Sequence, residues 1–282
     1  MNQFNYQFVR GGGQTLALEE IAELGERGRR WVFLHGLMGY ALNWRRIVSG
    51  LEANDVSFIF DQRGHGQSFK PEKGYAPEDF AEDLLCLVDE LGWQKFFLVG
   101  HSMGGRNALV FASRHAERVR KLILEDIGPD GSMEAVAYYE RLFAAVPTPF
   151  PSKLRAKEFF MNEFPRTAQV RGSPETLGLY LYSNIIERPD GSADWRFSKE
   201  AMIEAVRMGR ARDHWSEFRS LSVPTLVLRG QHSEELSREV FSKLSQVNPR
   251  VQTVEVNNAG HWIHYDQWEV FIQLIKQFAE SP

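Results

Sequence analysis

Four short apolar runs punctuate the first half of the chain: "WVFLHG", "VSFIFD", "FFLVG" and "KLILED". Each is continuous rather than alternating and too short for a helix, which is the pattern of a strand covered on both faces. Between them lie stretches with helical spacing, "ALNWRRIVSGLEA", "PEDFAEDLLCLVDELG" and the segment after Gly105. The second of these begins with Pro77, Glu78 and Asp79 and stops at Gly92, residues that suit a helix N-terminus and a C-cap. Strands alternating with helices predict an α/β protein built on a mostly parallel, doubly wound sheet. Ahead of that pattern, "NYQFV" and "TLALEE" predict two further strands, joined by a turn at Gly11 to Gly13.

After Asp126 the rhythm changes. Residues 131–220 show helical stretches without a clear buried strand, broken by "VPTPFP", "GSPE" and "RPDGSADW". The strand–helix pattern then resumes with "PTLVLRG", "VQTVEV" and a closing helix, "WEVFIQLIKQFAE". These patterns predict a core of residues 1–130 and 221–282, with a helical cap of residues 131–220 inserted between the sixth and seventh sheet strands. The insertion is rich in rings, among them Tyr138, Tyr139, Phe159, Phe160, Phe164 and Tyr180. At helical spacing such rings are ordinary core, but those facing the sheet would roof a ligand site.

Composition narrows the picture. The chain has 282 residues, 43% hydrophobic and 25% charged, as in an ordinary globular protein. A net charge of -4 gives no electrostatic case for nucleic acid or an anionic membrane as partner. The one dense basic patch, "GERGRR", reads as a solvated turn between strands. No apolar run approaches the roughly 18 residues of a membrane span, and the start, "MNQFNYQFVR", lacks a secretory pattern. A soluble, cytoplasmic protein is the expectation. The single cysteine, Cys86, lies among leucines at helical spacing and is expected to be a buried thiol.

Chemistry concentrates in "FFLVGHSMGG". An apolar run that merely ends needs one turn residue, yet Gly100, Ser102, Gly104 and Gly105 crowd together here. This is G-x-S-x-G between a strand and a helix, a tight turn that presents a serine hydroxyl at the strand's tip. The N–H of Met103, opening the next helix, then faces any oxyanion that develops beside Ser102. A serine needs a base to take its proton. Among eight histidines, His261 in "VEVNNAGHWIH" follows the last strand at the edge where ligands bind in open α/β sheets. His101 is read as structural and His264 as solvated or packed.

These motifs together resemble the α/β-hydrolase fold family. "LHGLMG" resembles that family's oxyanion loop, which implies that the N–H of Leu37 is the second oxyanion donor. "DQRGHGQS" resembles a structural loop after the fourth strand, and "AGHW" the loop of the catalytic histidine. The third member of the triad departs from the commonest pattern: "LRGQHSEEL" puts Ser233 where many members carry aspartate, and serine cannot hold an imidazolium as a carboxylate does. Glu234, one residue on, is one alternative. The other is Asp126 in "KLILEDIGP", at the tip of a strand expected beside that of Ser102. "LEDIGP", "DGSADWRF" and "AGHWIH" are similar to segments of small bacterial esterases of the YbfF type, and this favours Asp126.

The resemblance implies a serine hydrolase that cleaves carboxylic esters of small to medium acyl groups through an acyl-enzyme. Ser102, Asp126 and His261 form its triad, and Leu37 and Met103 its oxyanion hole. The expected partner is a small-molecule ester, with no metal or organic cofactor. Thioesters, lactones and carbon–carbon bonds can be hydrolysed by the same machinery, and a small-molecule receptor on this fold is the reading from another class. Dehalogenase and epoxide hydrolase readings are disfavoured, because those relatives carry aspartate where this chain has Ser102.

Overall fold

The computed structural model describes residues 1–24, 28–167, 170 and 173–282. Its centre is an eight-stranded sheet. In chain order the strands are β1 (Tyr6–Arg10), β2 (Thr15–Leu16), β3 (Arg30–Leu34), β4 (Val56–Phe60), β5 (Phe96–His101) and β6 (Val119–Glu125). A separate hairpin follows, β7 (Ile185–Glu187) and β8 (Ala193–Trp195), before β9 (Thr225–Gly230) and β10 (Val251–Val256) return to the sheet. The spatial order is β10-β9-β6-β5-β3-β4-β1-β2. β1 runs antiparallel to β2 and β4, and the pairs from β4 through β10 are parallel.

The continuous apolar runs have the predicted cause. Along β5, Phe96 and Leu98 point to one face while Phe97 and Val99 point to the other. The first face packs against the helices Pro77–Glu90 and Met103–Arg114, and the second against Arg45–Ser49 and Trp268–Glu280. Both faces are therefore dry, and no strand in the middle can alternate with polar residues.

Three local expectations change, and a fourth falls partly outside the described residues. "TLALEE" contributes only the two residues of β2, and the chain then enters the helix Leu18–Leu24. Glu20 helps explain the switch: its carboxylate accepts from the Ala17 N–H at 2.6 Å, satisfying one of the free donors at the start of the helix. "ALNWRRIVSGLEA" splits into a 3₁₀ turn, Ala41–Trp44, and a short helix ended at Gly50. Cys86 is exposed, because the buried stripe of its helix runs through Phe80, Ala81, Leu84, Leu87 and Val88. In "GERGRR", residues 25–27 lie outside the described residues; Arg29 pairs with Asp55 at 3.0 Å and Arg30 opens β3.

The segment between β6 and β9 is mostly helical, with helices Glu134–Ala144, Lys153–Glu158, Pro174–Ser183, Lys199–Arg210 and Trp215–Ser220. The β7–β8 hairpin turns through "RPDGSADW", a stretch expected only to break the helices. Strands of three residues are too short to show a period, and only the turn at Gly191, with φ of 84°, marks them. Its rings Phe143, Phe150, Phe160, Phe164 and Trp195 gather into one apolar cluster. Leu37, Met38, Tyr75 and Phe80, which belong to the sheet side, join the same cluster. The insertion is thus packed directly over the loops that leave β3, β4 and β5.

Candidate active site

β5 delivers Ser102 on a sharp turn, with φ of 53° and ψ of -118°. A side chain in this region carries strain of about 1–3 kcal/mol, tolerated only where neighbours over-determine it. Here the Ser102 N–H donates to the Glu125 carbonyl at 3.0 Å, and the Ser102 carbonyl accepts from Arg106 at 3.0 Å. The glycines have a steric reason. A Cβ on Gly100 would lie 2.4 Å from the Gly104 carbonyl oxygen, and one on Gly104 would lie 2.5 Å from the carbonyl oxygens of Leu34 and His35. Only bare backbone lets the elbow pass this close to β3.

The loop after β3 is held from several sides. His35 Nδ1 donates to the Gly36 carbonyl, and its Nε2 accepts from the Gln62 N–H at 3.0 Å. The Leu37 carbonyl accepts from the Tyr180 hydroxyl of the insertion at 2.9 Å. Below it Asp61, fully buried, accepts from Ala41, Gln67 and Asn5, so "DQRGHGQS" braces this loop. Leu37 lines a cavity together with Ser102, and Met103 follows Ser102 as the first residue of its helix.

Asp126 follows β6, is fully buried and has a φ of 51°. Its N–H donates to Leu228, and its Oδ1 accepts from the Gly230 N–H at 3.0 Å. Its Oδ2 accepts from the Ser233 hydroxyl at 2.5 Å and lies 2.7 Å from His261 Nδ1. A carboxylate can only accept, so Nδ1 carries the imidazole proton and Nε2 is left with its lone pair. Burial pushes His261 down, but the hydrogen bond and charge of Asp126 outweigh it and the net shift is upward from 6.5. Glu234 is exposed at the cavity wall, and the carboxylate on His261 is that of Asp126.

Ser102 and His261 line one cavity of about 380 Å³. Of the rings in the insertion, Tyr138 and Tyr139 reach it, while Phe159, Phe160 and Phe164 pack on one another. Three contacts near the site carried no signal in the sequence. Ser233 supports Asp126 instead of replacing it. His264, read as solvated or packed, is buried with Nδ1 2.9 Å from Glu125, whose Oε1 also accepts the His264 N–H. His101 donates from Nε2 to the His261 carbonyl at 3.0 Å, and burial holds its own basicity far below normal. The polar atoms of His101, Glu125 and His264 lie within 4.8 Å of one another, a knot behind the His261 backbone.

A strand-borne serine elbow, a buried carboxylate on histidine and a cavity under an insertion define a class of enzymes. Residues 32–267 match the family model of the alpha/beta hydrolase fold, and the chain belongs to that family and is a hydrolase. It is 26% identical over 254 residues to a 2-(acetamidomethylene)succinate hydrolase of Mesorhizobium japonicum, covering 90% of this chain and 89% of that protein. It is 27% identical over 253 residues to an sn-1-specific diacylglycerol lipase of Mus musculus, covering 88% and 80%. Among solved structures it is similar to a marine microorganism esterase, with a TM-score of 0.79, 25% identity, and 98% and 99% of the two chains covered. Among the described residues no helix is long and apolar enough to cross a membrane.

Proposed function

We propose that this hydrolase cleaves carboxylic esters of small to medium acyl groups through an acyl-enzyme on Ser102. His261 Nε2 takes the hydroxyl proton as Oγ attacks the ester carbonyl, and Asp126 steadies the imidazolium that forms. The N–H groups of Leu37 and Met103 stabilise the tetrahedral oxyanion. His261 then protonates the departing alcohol, and a water that it activates attacks the acyl-enzyme and frees the acid. On this reading residues 131–220 act as a cap over a core of residues 1–130 and 221–282.

The observation that supports the reading most is the 2.7 Å contact of His261 Nδ1 with the buried Asp126, beside the cavity that Ser102 shares. It fixes the tautomer that a base for Ser102 requires. The relatives' names span a lipase, a deformylase and other hydrolases, and one triad serves several of these chemistries, so the choice of esters rests on the resemblance to small bacterial esterases. A fluorophosphonate probe should label the protein at Ser102 and fail to label a folded Ser102→Ala variant. p-Nitrophenyl esters of increasing acyl length should be turned over many times per chain. Equal labelling of both proteins, or release of one product per chain and no more, would overturn the proposal.

A further inference from the structure

Ser102 opens onto a second, narrower cavity of about 30 Å³. Leu37, Ser102 and Tyr139 line both cavities, so the two meet at the proposed nucleophile. Arg106 lines the narrow one. It sits one helical turn past Ser102, about 6 Å along the axis and on the same side of the helix. The residue is 3% exposed, and its buried Nη1 and Nη2 have no hydrogen-bond partner among the described residues.

Burying a charged fork of donors without acceptors is strongly unfavourable, and such groups are rare in folded proteins. The acids nearby, Asp130 and Glu235, act on Arg106 through space and not by hydrogen bonds to Nη1 or Nη2. Phe80, Ile127 and Val206 are apolar walls of the cavity, and Asn107 donates to Gln62. Arg210, the other cation there, is paired with Glu235 at 3.0 Å. Burial and the charge of Arg210 lower the Arg106 pKa to about 9, with Asp130 and Glu235 acting in the opposite sense. Arg106 is therefore still a cation at neutral pH. A guanidinium in an apolar enclosure is suited to a carboxylate, which it can grip with two parallel hydrogen bonds.

We infer that the narrow cavity takes a carboxylate carried on the acyl part of the substrate, so that Arg106 selects hemiesters of short dicarboxylic acids over neutral esters of the same length. The inference rests on the esterase reading above. The leaving alcohol then occupies the wider cavity, whose wall includes the exposed Ser173 and Asn258 and so gives it a way out.

The test compares mono-p-nitrophenyl glutarate with p-nitrophenyl pentanoate, which share an acyl length and differ in the terminal charge. The wild type should favour the glutarate ester in kcat/KM by about tenfold or more, the worth of one hydrogen bond to a charged group. Arg106→Gln should bring that ratio to about one, and Arg106→Lys should keep part of it. Glutarate should also compete with the neutral ester in the wild type while uncharged glutaramide does not, which decides the matter even if Arg106→Gln fails to fold. The inference is overturned by a wild-type ratio of one or less, by a ratio that survives in folded Arg106→Gln, or by glutaramide competing as well as glutarate. In those cases continued hydrolysis of the pentanoate and labelling of Ser102 leave the esterase reading standing. Loss of both would mean that the reading itself had failed, and the inference with it.

Discussion

The pairing of His261 with Asp126 makes the sharpest predictions. Only neutral His261 can accept the Ser102 proton, and its pKa is shifted upward from 6.5, so the acid limb of kcat/KM should lie above pH 6.5. Asp126→Asn removes the charge that raises it and leaves burial, which lowers it, so that limb should move to lower pH. The same change should reduce kcat by a large factor, about 10⁴ in well-studied triads, while Glu234→Gln costs less than about tenfold. Steady-state kinetics on variants shown folded by circular dichroism would check both, and the opposite ranking would reverse the roles. Ser233→Ala strips one donor from Asp126 Oδ2, concentrating its charge on His261, and should shift the acid limb upward. Ser102 was legible in the sequence because an elbow is a local pattern of glycines. Asp126 was less legible locally: one aspartate after a strand carries no periodic mark, and its preference over Glu234 rested on the strand expected beside that of Ser102 and on a family resemblance. The donor from Ser233 and the Glu125–His264 pair were beyond reach, since their partners lie 107 and 139 residues away in the chain.

The turn between β5 and its helix depends on what the glycines keep clear. A Cβ on Gly104 would press on backbone oxygens of Leu34 and His35 at 2.5 Å, and backbone cannot swing aside as a long side chain can. Gly104→Ala should therefore lower both the melting temperature and kcat, because the displaced segment leads into Leu37. Gly92→Ala is the control. Its φ of 67° is strained for alanine, but the space around it is open, so it should cost about 1 kcal/mol of stability and leave kcat alone. Thermal melts beside kinetics separate the two cases, and equal kcat losses would refute the steric argument. Elements with both faces buried were easy to see in the sequence, since five consecutive apolar residues leave little else to be. The failures came where an element was short or its pattern incomplete, as with β2, the β7–β8 hairpin and the exposed side of the helix that holds Cys86.

The insertion and the sheet meet over the proposed oxyanion loop. The Tyr180 hydroxyl on the Leu37 carbonyl is one such contact, and its ring lies against Trp262, 5.2 Å between centroids. Tyr180→Phe keeps the ring and loses the bond, so it should cost about 1 kcal/mol of stability and lower kcat more than it changes KM. An unchanged kcat would mean that the insertion covers the loop without aiming it. The placement of the insertion was legible as a break in rhythm, but which of its rings reach the cavity depends on packing that no period encodes. The strand order also sets when the site can form. β9, which follows the insertion, lies between β6 and β10 and supplies the Leu228 and Gly230 backbone that seats Asp126. His261 arrives later still, 135 residues from its carboxylate. Contacts so distant in the chain form slowly, because a long loop must close before they give anything back. During refolding from denaturant, reactivity of Ser102 toward a fluorophosphonate should therefore return with the slowest phase, well after the far-ultraviolet signal of the helices, and a chain stopped before β10 would be chemically silent, lacking both His261 and the helix that covers one face of the sheet.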